Sequence, residues 1–368
     1  MNEFEVKGRK VLHEMKPYSP GKPIWEVQQE LGIEKVVKLA SNENPFGASP
    51  KAVEAIAAFL PEIHRYPDAG AKLLNQVIAE RLDLQPEQLI VTNGGDELIT
   101  LVSETFLEAG DEIVVPSPTF SEYEFGATLM GAKTVSVPLN EDFSYNVDAL
   151  LAEVTGQTKI VYLCSPNNPT GTYIGRDELQ RVLDALPKRV LVLFDAAYKH
   201  YASAEDYSDG LEFVRAGYPI IVLQTFSKIY GLAGIRVGFG AASVELTNSI
   251  YKVKEPFNVN ALAQTAAAAA VNDDEHVCKS QQLNAEGREQ LYKGFKELGL
   301  SYTESMTNFI LVELGPDAKS IYDRLMAEGI IVRYGGGWGL PGHVRVTVGT
   351  DEENELFLTK LKGIMAEG

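Results

Sequence analysis

Cysteine is scarce in this sequence, which has only Cys164 and Cys278 among its 368 residues. Two cysteines do not suggest a disulfide framework, and the apolar run around Cys164 favours a packed core thiol. The five histidines show no paired spacing of the kind that metal sites use. The sequence therefore predicts neither a disulfide-stabilised protein nor a metal centre.

Long apolar runs are also missing. None approaches the roughly 20 residues that a membrane-spanning helix needs. Residues 1–5 (MNEFE) contain no cationic stretch followed by an apolar one, so we expect no signal peptide. Together with the few cysteines, these absences fit a cytoplasmic protein.

Basic residues are outnumbered, with 33 Lys and Arg against 51 Asp and Glu, for a net charge of −18. This balance argues against nucleic acids and anionic membranes as partners. It does not constrain a small-molecule substrate, because a basic pocket can lie inside an acidic protein. The length exceeds that of a usual single core, so we expect two domains.

The middle of the chain alternates short apolar runs with amphipathic segments. We predict strands at residues 89–92, 113–115, 160–164, 190–194 and 220–223, separated by helices such as 97–107 and 177–186. Apolar strands alternating with helices indicate an α/β fold with a parallel sheet covered on both faces. From about residue 272, shorter strands and helices, including one strand at 330–333, indicate a smaller α+β domain.

Chemically apt side chains follow several of these strands. Ligands of open α/β sheets bind at the carboxyl ends of the strands, and Lys228 follows the strand 220–223 between hydroxyls and Arg236. A lysine in such surroundings can form a Schiff base beside a phosphate site, which suggests pyridoxal phosphate as cofactor. The alternative is an ordinary surface lysine at a strand end.

The other strand ends carry candidates with their own alternatives. Asp195 could pair with the pyridine nitrogen of the cofactor, or make a structural loop contact. Gly95 and Asp96 open a helix whose amides could bind phosphate, or form a glycine turn with Asp96 as N-cap. Asn168 could reach the ring oxygen, or serve only the rigidity of its loop. Phe120 could stack on the ring, although a lone phenylalanine is far more often a core residue.

Three stretches together resemble the fold-type-I, pyridoxal-phosphate-dependent aminotransferases of class II. They are residues 165–171 (SPNNPTG), 225–228 (TFSK) and 234–238 (GIRVG). Three more resemble the histidinol-phosphate aminotransferases within that family: residues 39–47 (LASNENPFG), 65–68 (RYPD) and 344–350 (VRVTVGT). The resemblance covers the chain from about residue 18 to the C-terminal helix.

The resemblance implies a seven-stranded, mostly parallel sheet in a large domain, residues 41–255. Residues 1–40 and 256–368 would form the small domain with an N-terminal arm. It implies Lys228, Asp195 and Tyr198 as catalytic residues. The implied cofactor-binding set is Gly95, Asp96, Phe120, Asn168, Asp195, Tyr198, Thr225, Ser227, Lys228, Arg236 and, reaching the neighbouring subunit's cofactor in a homodimer, Tyr66. The implied substrate-binding set is Tyr18, Asn168, Arg333 and Arg345.

The implied reaction is a ping-pong transamination through the Lys228 Schiff base, between histidinol phosphate and 2-oxoglutarate, in histidine biosynthesis. Its partners would be a small-molecule amino donor and a keto acceptor. Three alternatives stay open: an aminotransferase for aromatic or other amino acids, a decarboxylase for an amino-acid phosphate, and a non-catalytic binding module. From the residues alone, strand-edge salt bridges are the favoured explanation of Arg333 and Arg345.

The sequence departs from the family pattern at Ala196, where glutamate is usual, at Gln224, where arginine is usual, and at Phe120, where tyrosine is usual. None of these changes removes a group from the core chemistry. Trp338, in a glycine-rich loop between the two arginines, either borders the substrate or packs the small domain. These departures affect the expected substrate more than the expected reaction.

Overall fold

The computed structural model of the protein describes residues 7–13, 15 and 22–367. Its α-helices are α1 Ile24–Leu31, α2 Pro50–Phe59, α3 Lys72–Leu82, α4 Gly95–Phe106, α5 Glu122–Met130, α6 Val147–Ala152, α7 Arg176–Ala185, α8 Leu211–Arg215, α9 Val244–Ile250, α10 Ala261–Ala270, α11 Asp274–Glu297, α12 Ala318–Ala327 and α13 Asp351–Ala366. Its strands are β1 Val37–Lys38, β2 Leu89–Thr92, β3 Glu112–Ser117, β4 Lys133–Pro138, β5 Thr158–Cys164, β6 Leu191–Asp195, β7 Ile220–Thr225, β8 Gly238–Ala241, β9 Phe309–Glu313, β10 Ile330–Ile331, β11 Arg333–Tyr334 and β12 His343–Thr347.

A seven-stranded sheet forms the centre of the molecule, in the order β2-β8-β7-β6-β5-β3-β4. Only β8 runs antiparallel to its neighbours within this sheet. The predicted α/β fold with a mostly parallel sheet is therefore confirmed, and the parallel strands end at one common edge.

Both faces of this sheet are buried, as the continuous apolar strands predicted. In β6, Val192 and Phe194 belong to the core cluster on one face, while Leu191 and Leu193 belong to the cluster on the other. Successive strand residues point to opposite faces, so a strand covered on both sides must be apolar throughout.

Strand β8 was not predicted, because its glycines lack strand propensity. A Cβ on Gly238 would lie 2.9 Å from the Gln224 carbonyl oxygen, and one on Gly240 would lie 2.8 Å from Leu98 Cδ2. Close approach to β7 on one side and to α4 on the other therefore requires residues without side chains.

A three-stranded antiparallel sheet, in the order β11-β12-β9, lies in the C-terminal part and packs with α11, α12 and α13 around a third apolar cluster. The sequence predicted one strand at residues 330–333, but these residues contribute to two short strands in different sheets. Residues Ile330 and Ile331 pair with β1, whereas Arg333 and Tyr334 pair with β12. The segment thus passes from one sheet to another at Val332.

Helix α10 packs against α2 and α3, and its buried alanines join the core of the seven-stranded sheet. It lies beyond the predicted domain boundary at residue 255, which stays a prediction. Among the described residues, no helix combines the length and the apolar character that crossing a membrane requires.

Candidate active site

A cavity of about 460 Å³ opens where the parallel strands end. Residues of the seven-stranded sheet and of the three-stranded sheet line it, because β11 and β12 approach that edge. Among the residues predicted from the sequence, its lining includes Gly95, Asp96, Phe120, Asn168, Asp195, Tyr198, Thr225, Ser227, Lys228, Arg236, Arg333 and Arg345. The structure thus brings together twelve positions that are spread over 251 residues of chain, from 95 to 345.

Lys228 projects into this cavity just after β7. Its Nζ donates to the Ser41 carbonyl oxygen at 3.4 Å and lies 5.6 Å from the centroid of the Tyr198 ring. Burial, reinforced by the charge of Arg345, lowers the pKa of Lys228 to about 8. A substantial fraction of this amine is therefore neutral, and so nucleophilic, near neutral pH.

Asp195, the last residue of β6, is buried at the floor of the cavity. Its Oδ2 accepts from the Tyr123 hydroxyl at 2.7 Å, and its Oδ1 accepts from the Ala197 amide at 3.0 Å. Burial raises the pKa of Asp195 to about 6 despite these hydrogen bonds. A cationic N–H in the cavity would stabilise the carboxylate that burial penalises.

A phosphate-sized cradle forms at the start of α4. The helix begins at Gly95 with Gly94 as N-cap, so the alternative of Asp96 as N-cap was wrong. A Cβ on Gly94 would lie 2.6 Å from Arg236 Nη2, and the Gly94 φ of 84° also favours glycine. Backbone amides at a helix N-terminus beside a guanidinium form a site for an anion.

Polar side chains complete this cradle. The Thr225 hydroxyl donates to Ser227 Oγ at 2.9 Å, which holds two hydroxyls at the end of β7. Arg236 Nη2 lies 3.2 Å from Asp96 Oδ2, so the guanidinium faces the first turn of α4.

The two arginines lie side by side on the small sheet, because Arg333 and Arg345 are Cα partners across β11 and β12. Arg345 is buried; its Nη1 donates to Asn168 Oδ1 and its Nη2 donates to the Ala40 carbonyl oxygen at 2.5 Å. The Trp338 ring centroid lies 5.1 Å from Arg345 Cζ and 5.9 Å from Arg333 Cζ. Trp338 therefore borders the cavity, between two cations that its ring face attracts.

Two predicted residues are not placed in this cavity. Tyr66 is exposed on 83% of its surface and stacks on Phe257, with ring centroids 4.8 Å apart. Tyr18 lies outside the described residues. In a single chain the Tyr66 side chain is accessible to a second subunit. Its contact with the cofactor of a neighbouring subunit stays a prediction.

Sequence reasoning missed two residues that contact the predicted ones. Tyr123 donates to Asp195 and stacks on Tyr162 inside the core. Asn42 lines the cavity and donates from Nδ2 to the Tyr198 hydroxyl oxygen at 2.9 Å. The sequence signal for Asn42 was its place in the family-like stretch 39–47. No strand or helix pattern indicated that this stretch lies at the cavity.

The residues present fit pyridoxal phosphate. A buried carboxylate with a raised pKa suits the pyridinium N–H, a partly neutral lysine suits its aldehyde, and the cradle at α4 suits its phosphate. Phe120 lines the cavity wall and supplies an aromatic ring suited to stacking on the cofactor. Fold and site together define an α/β enzyme that holds a phosphorylated aldehyde cofactor on a lysine.

Comparison with known proteins agrees with this class. The profile of the family "Aminotransferase class I and II" matches residues 34–361. The chain therefore belongs to the class I and II aminotransferases, and it is an enzyme that uses pyridoxal phosphate.

Individual relatives show which aminotransferases the chain is similar to. The chain is 47% identical over 361 residues to the histidinol-phosphate aminotransferase of Moorella thermoacetica, covering 98% of this chain and 93% of the relative. It is 44% identical over 349 residues to that of Brevibacillus brevis, covering 95% of each. The crystal structure of the Sinorhizobium meliloti enzyme in complex with pyridoxal 5'-phosphate superposes with a TM-score of 0.92 at 25% identity, covering 99% of both chains.

Proposed function

We propose that the protein transfers an amino group reversibly between glutamate and imidazole-acetol phosphate, giving 2-oxoglutarate and histidinol phosphate. The observation that carries this proposal is the pair Arg333 and Arg345, held side by side above the lysine cavity. The names of relatives at 39–47% identity point to the same substrate.

In this proposal the buried residues hold the cofactor ring. When bound, pyridoxal phosphate supplies an electron sink that stabilises negative charge at the substrate's Cα. Asp195 would keep a proton on the ring nitrogen, Tyr198 and Asn168 would donate to the ring oxygen, and Phe120 would stack on the ring. Lys228 Nζ would move a proton between the substrate's Cα and the C4′ position of the cofactor, as its pKa of about 8 allows.

The cradle at α4 holds the cofactor phosphate through the amides of Gly95 and Asp96, the hydroxyls of Thr225 and Ser227, and the guanidinium of Arg236. Because these contacts involve backbone and fixed side chains, they orient the ring as well as bind it. Gln224 precedes this group in β7 and is buried, so its difference from the usual arginine does not change the groups that line the cradle.

The two arginines bind the anionic end of each substrate in turn. A guanidinium is permanently cationic and fork-shaped, so the same pair accepts the carboxylate of glutamate and the phosphate of histidinol phosphate. Trp338 limits the water that reaches both guanidiniums and thereby strengthens their attraction to the anion. We also propose Tyr18 as a substrate-binding residue.

The test is a substrate panel on purified holoenzyme with glutamate as donor. We expect kcat/KM for imidazole-acetol phosphate to exceed that for phenylpyruvate by on the order of a hundredfold or more. Arg345→Lys should lower kcat/KM for the phosphate substrate about tenfold to a hundredfold, because a lysine cannot reproduce the fork. Arg189→Lys is the matched control, since this exposed arginine donates to the Thr155 carbonyl oxygen far from the cavity.

Other outcomes of the panel would contradict the proposal. Equal rates with phenylpyruvate would instead indicate an aminotransferase for aromatic amino acids. Release of one CO2 per amino-acid phosphate consumed would indicate a decarboxylase.

We further propose a cytoplasmic homodimer with shared active sites. Exposed apolar side chains on and around α2 and α3 support an interface there; they are Val53, Leu60, Ile63, Tyr66 and Leu73. A cluster of this kind on a water-exposed surface is typical of a contact with another protein.

A further inference from the structure

The hydroxyl of Tyr198 has a hydrogen-bond partner that the proposed mechanism does not use. Asn42 is 2% exposed, lines the cavity, and has a left-handed backbone with φ of 54°. Asparagine and aspartate tolerate this conformation better than other residues with a side chain. The position therefore constrains the residue type twice, by its backbone and by its contacts.

The hydrogen bonds around Thr347 determine which way the Asn42 amide points. The backbone N–H of Asn42 donates to Thr347 Oγ1 at 3.0 Å, and the Thr347 hydroxyl donates to Asn42 Oδ1, also at 3.0 Å. The other end of the amide, Nδ2, must then face Tyr198, whose hydroxyl oxygen lies 2.9 Å away. The buried threonine thus fixes the amide as a donor toward the phenol.

This polarity has a consequence for Tyr198. Its oxygen accepts from Asn42, so its own proton is left to donate to another acceptor in the cavity. Burial raises the pKa of the Tyr198 hydroxyl, which keeps that proton in place. Tyr198 is buried and its ring is held edge-on by Phe309, with ring centroids 5.2 Å apart, so the phenol has little freedom to turn away.

We infer that Asn42 is a positioning residue that forces Tyr198 to act as the hydrogen-bond donor to the ring oxygen of the cofactor. This inference rests on the proposed role of Tyr198. The same loop also contacts the anion site, because Arg345 donates to the Ala40 carbonyl oxygen and lies two residues before Thr347 on β12. Asn42 therefore links the strand that carries the substrate-binding arginine to the tyrosine that faces the cofactor.

The substitution Asn42→Asp tests the direction of this hydrogen bond. Aspartate has nearly the same shape, tolerates the left-handed backbone and still accepts from Thr347. Its second oxygen, however, accepts the Tyr198 proton, so the phenol can no longer donate to the ring oxygen. The readout is the pH titration of the bound cofactor's visible absorbance in holoenzyme. We expect its apparent pKa to rise by about one pH unit or more, because the ring oxygen loses a donor that stabilises its negative charge.

Two further variants separate orientation from simple structural support. Asn42→Gly keeps the backbone conformation and leaves the Tyr198 proton available, so its shift should be smaller than that of Asn42→Asp. If Asn42 were only a structural clamp, glycine would perturb the absorbance titration more than aspartate.

A double-mutant comparison excludes a purely Coulombic effect of the new carboxylate. In a Tyr198→Phe background, Asn42→Asp should shift the absorbance pKa little further, since its effect passes through the phenol. An equal shift in both backgrounds would overturn the inference. If Tyr198→Phe shifts the titration while Asn42→Asp does not, the inference fails and the role of Tyr198 stands. If Tyr198→Phe itself has no effect, the proposed cofactor contact of Tyr198 fails, and the inference fails with it.

Discussion

At the scale of single residues, burial determines the chemistry of the strand-end side chains. Lys228 and Asp195 lie in the same cavity, and burial moves their pKa values in opposite directions, to about 8 and about 6. Both shifts reflect the cost of keeping a charge away from water. In each case a bound cofactor offers the group a partner that the cofactor-free protein lacks in the cavity.

The pKa of Asp195 predicts an unusual pH dependence of stability for the cofactor-free protein. Its folded value of about 6 lies above the ordinary value of 3.8, so between these pH values the folded state holds more protons than the unfolded state. The contribution of Asp195 to the free energy of unfolding then falls as pH rises from about 4 to 6, and comparison of Asp195→Asn with the wild type isolates it from the other carboxyl groups. We expect Asp195→Asn, without cofactor, to be more stable than the wild type by about 2–3 kcal/mol at pH 7.

Urea denaturation of both proteins at pH 4 and pH 7 measures this difference. Asp83→Asn serves as the control, because Asp83 is exposed and has a left-handed backbone that both residues tolerate. Equal stability of Asp195→Asn and wild type at pH 7 would contradict the prediction. The holoenzyme should respond in the opposite sense, with weaker cofactor binding in Asp195→Asn.

The residues that sequence patterns reveal are those at strand ends. Lys228, Asp195 and Asn168 each follow an apolar strand, and the common edge of a parallel sheet predicts that they meet. Tyr123 and Asn42 could not be found this way. They are 72 and 156 residues from the side chains they contact, and only the packing of whole elements brings them there.

At the scale of elements, the proposed phosphate cradle depends on the turn between β2 and α4. The sequence predicted a helix at 97–107, but α4 begins two residues earlier, so that its first amides come directly after Gly94. Strand-to-helix turns of this kind depend on backbone conformation rather than on side-chain periodicity. Helix starts are therefore less predictable than the strands themselves.

Gly94→Ala should weaken cofactor binding. The added Cβ meets Arg236 Nη2 at 2.6 Å, and the residue would have to keep a φ of 84° with a ψ of 176°, a region essentially confined to glycine that costs a residue with a side chain about 1–3 kcal/mol. Arg236 must then move away from the cradle, so we expect the dissociation constant for pyridoxal phosphate to rise at least tenfold. Fluorescence titration of the cofactor-free protein measures this constant.

Gly156→Ala is the matched control for that substitution. A Cβ at Gly156 has no atom within 4 Å to meet among the described residues, so cofactor affinity should be unchanged. An unchanged affinity in Gly94→Ala would mean that the cradle at α4 does not hold the phosphate.

At the scale of the whole molecule, the cavity is basic although the chain carries a net charge of −18. Lys38, Lys228, Arg236, Arg333 and Arg345 all line it. Cations collected at the junction of the two sheets can attract anionic substrates, whereas the acidic surface disfavours other polyanions. The composition did not constrain the substrate, and it could not show where the cations converge.

The proposed homodimer with shared active sites gives a prediction that can be tested by mixing two variants. Lys228→Ala and Tyr66→Ala should each be impaired when cofactor is limiting. If Tyr66 serves the neighbouring cavity, a heterodimer of the two variants contains one site with both changes and one intact site. Equal co-expression should then restore about a quarter of wild-type activity, since half of the randomly formed dimers carry one intact site of two.

The control pair is Lys228→Ala with Asp195→Asn, because both residues line the cavity of their own chain. Their heterodimer has no intact site, so activity should not return. Recovery in the first pair and none in the second would locate Tyr66 across the interface, and size-exclusion chromatography with light scattering would establish the dimer itself. Absence of recovery in both pairs would instead mean that the stacking of Tyr66 on Phe257 serves only its own chain.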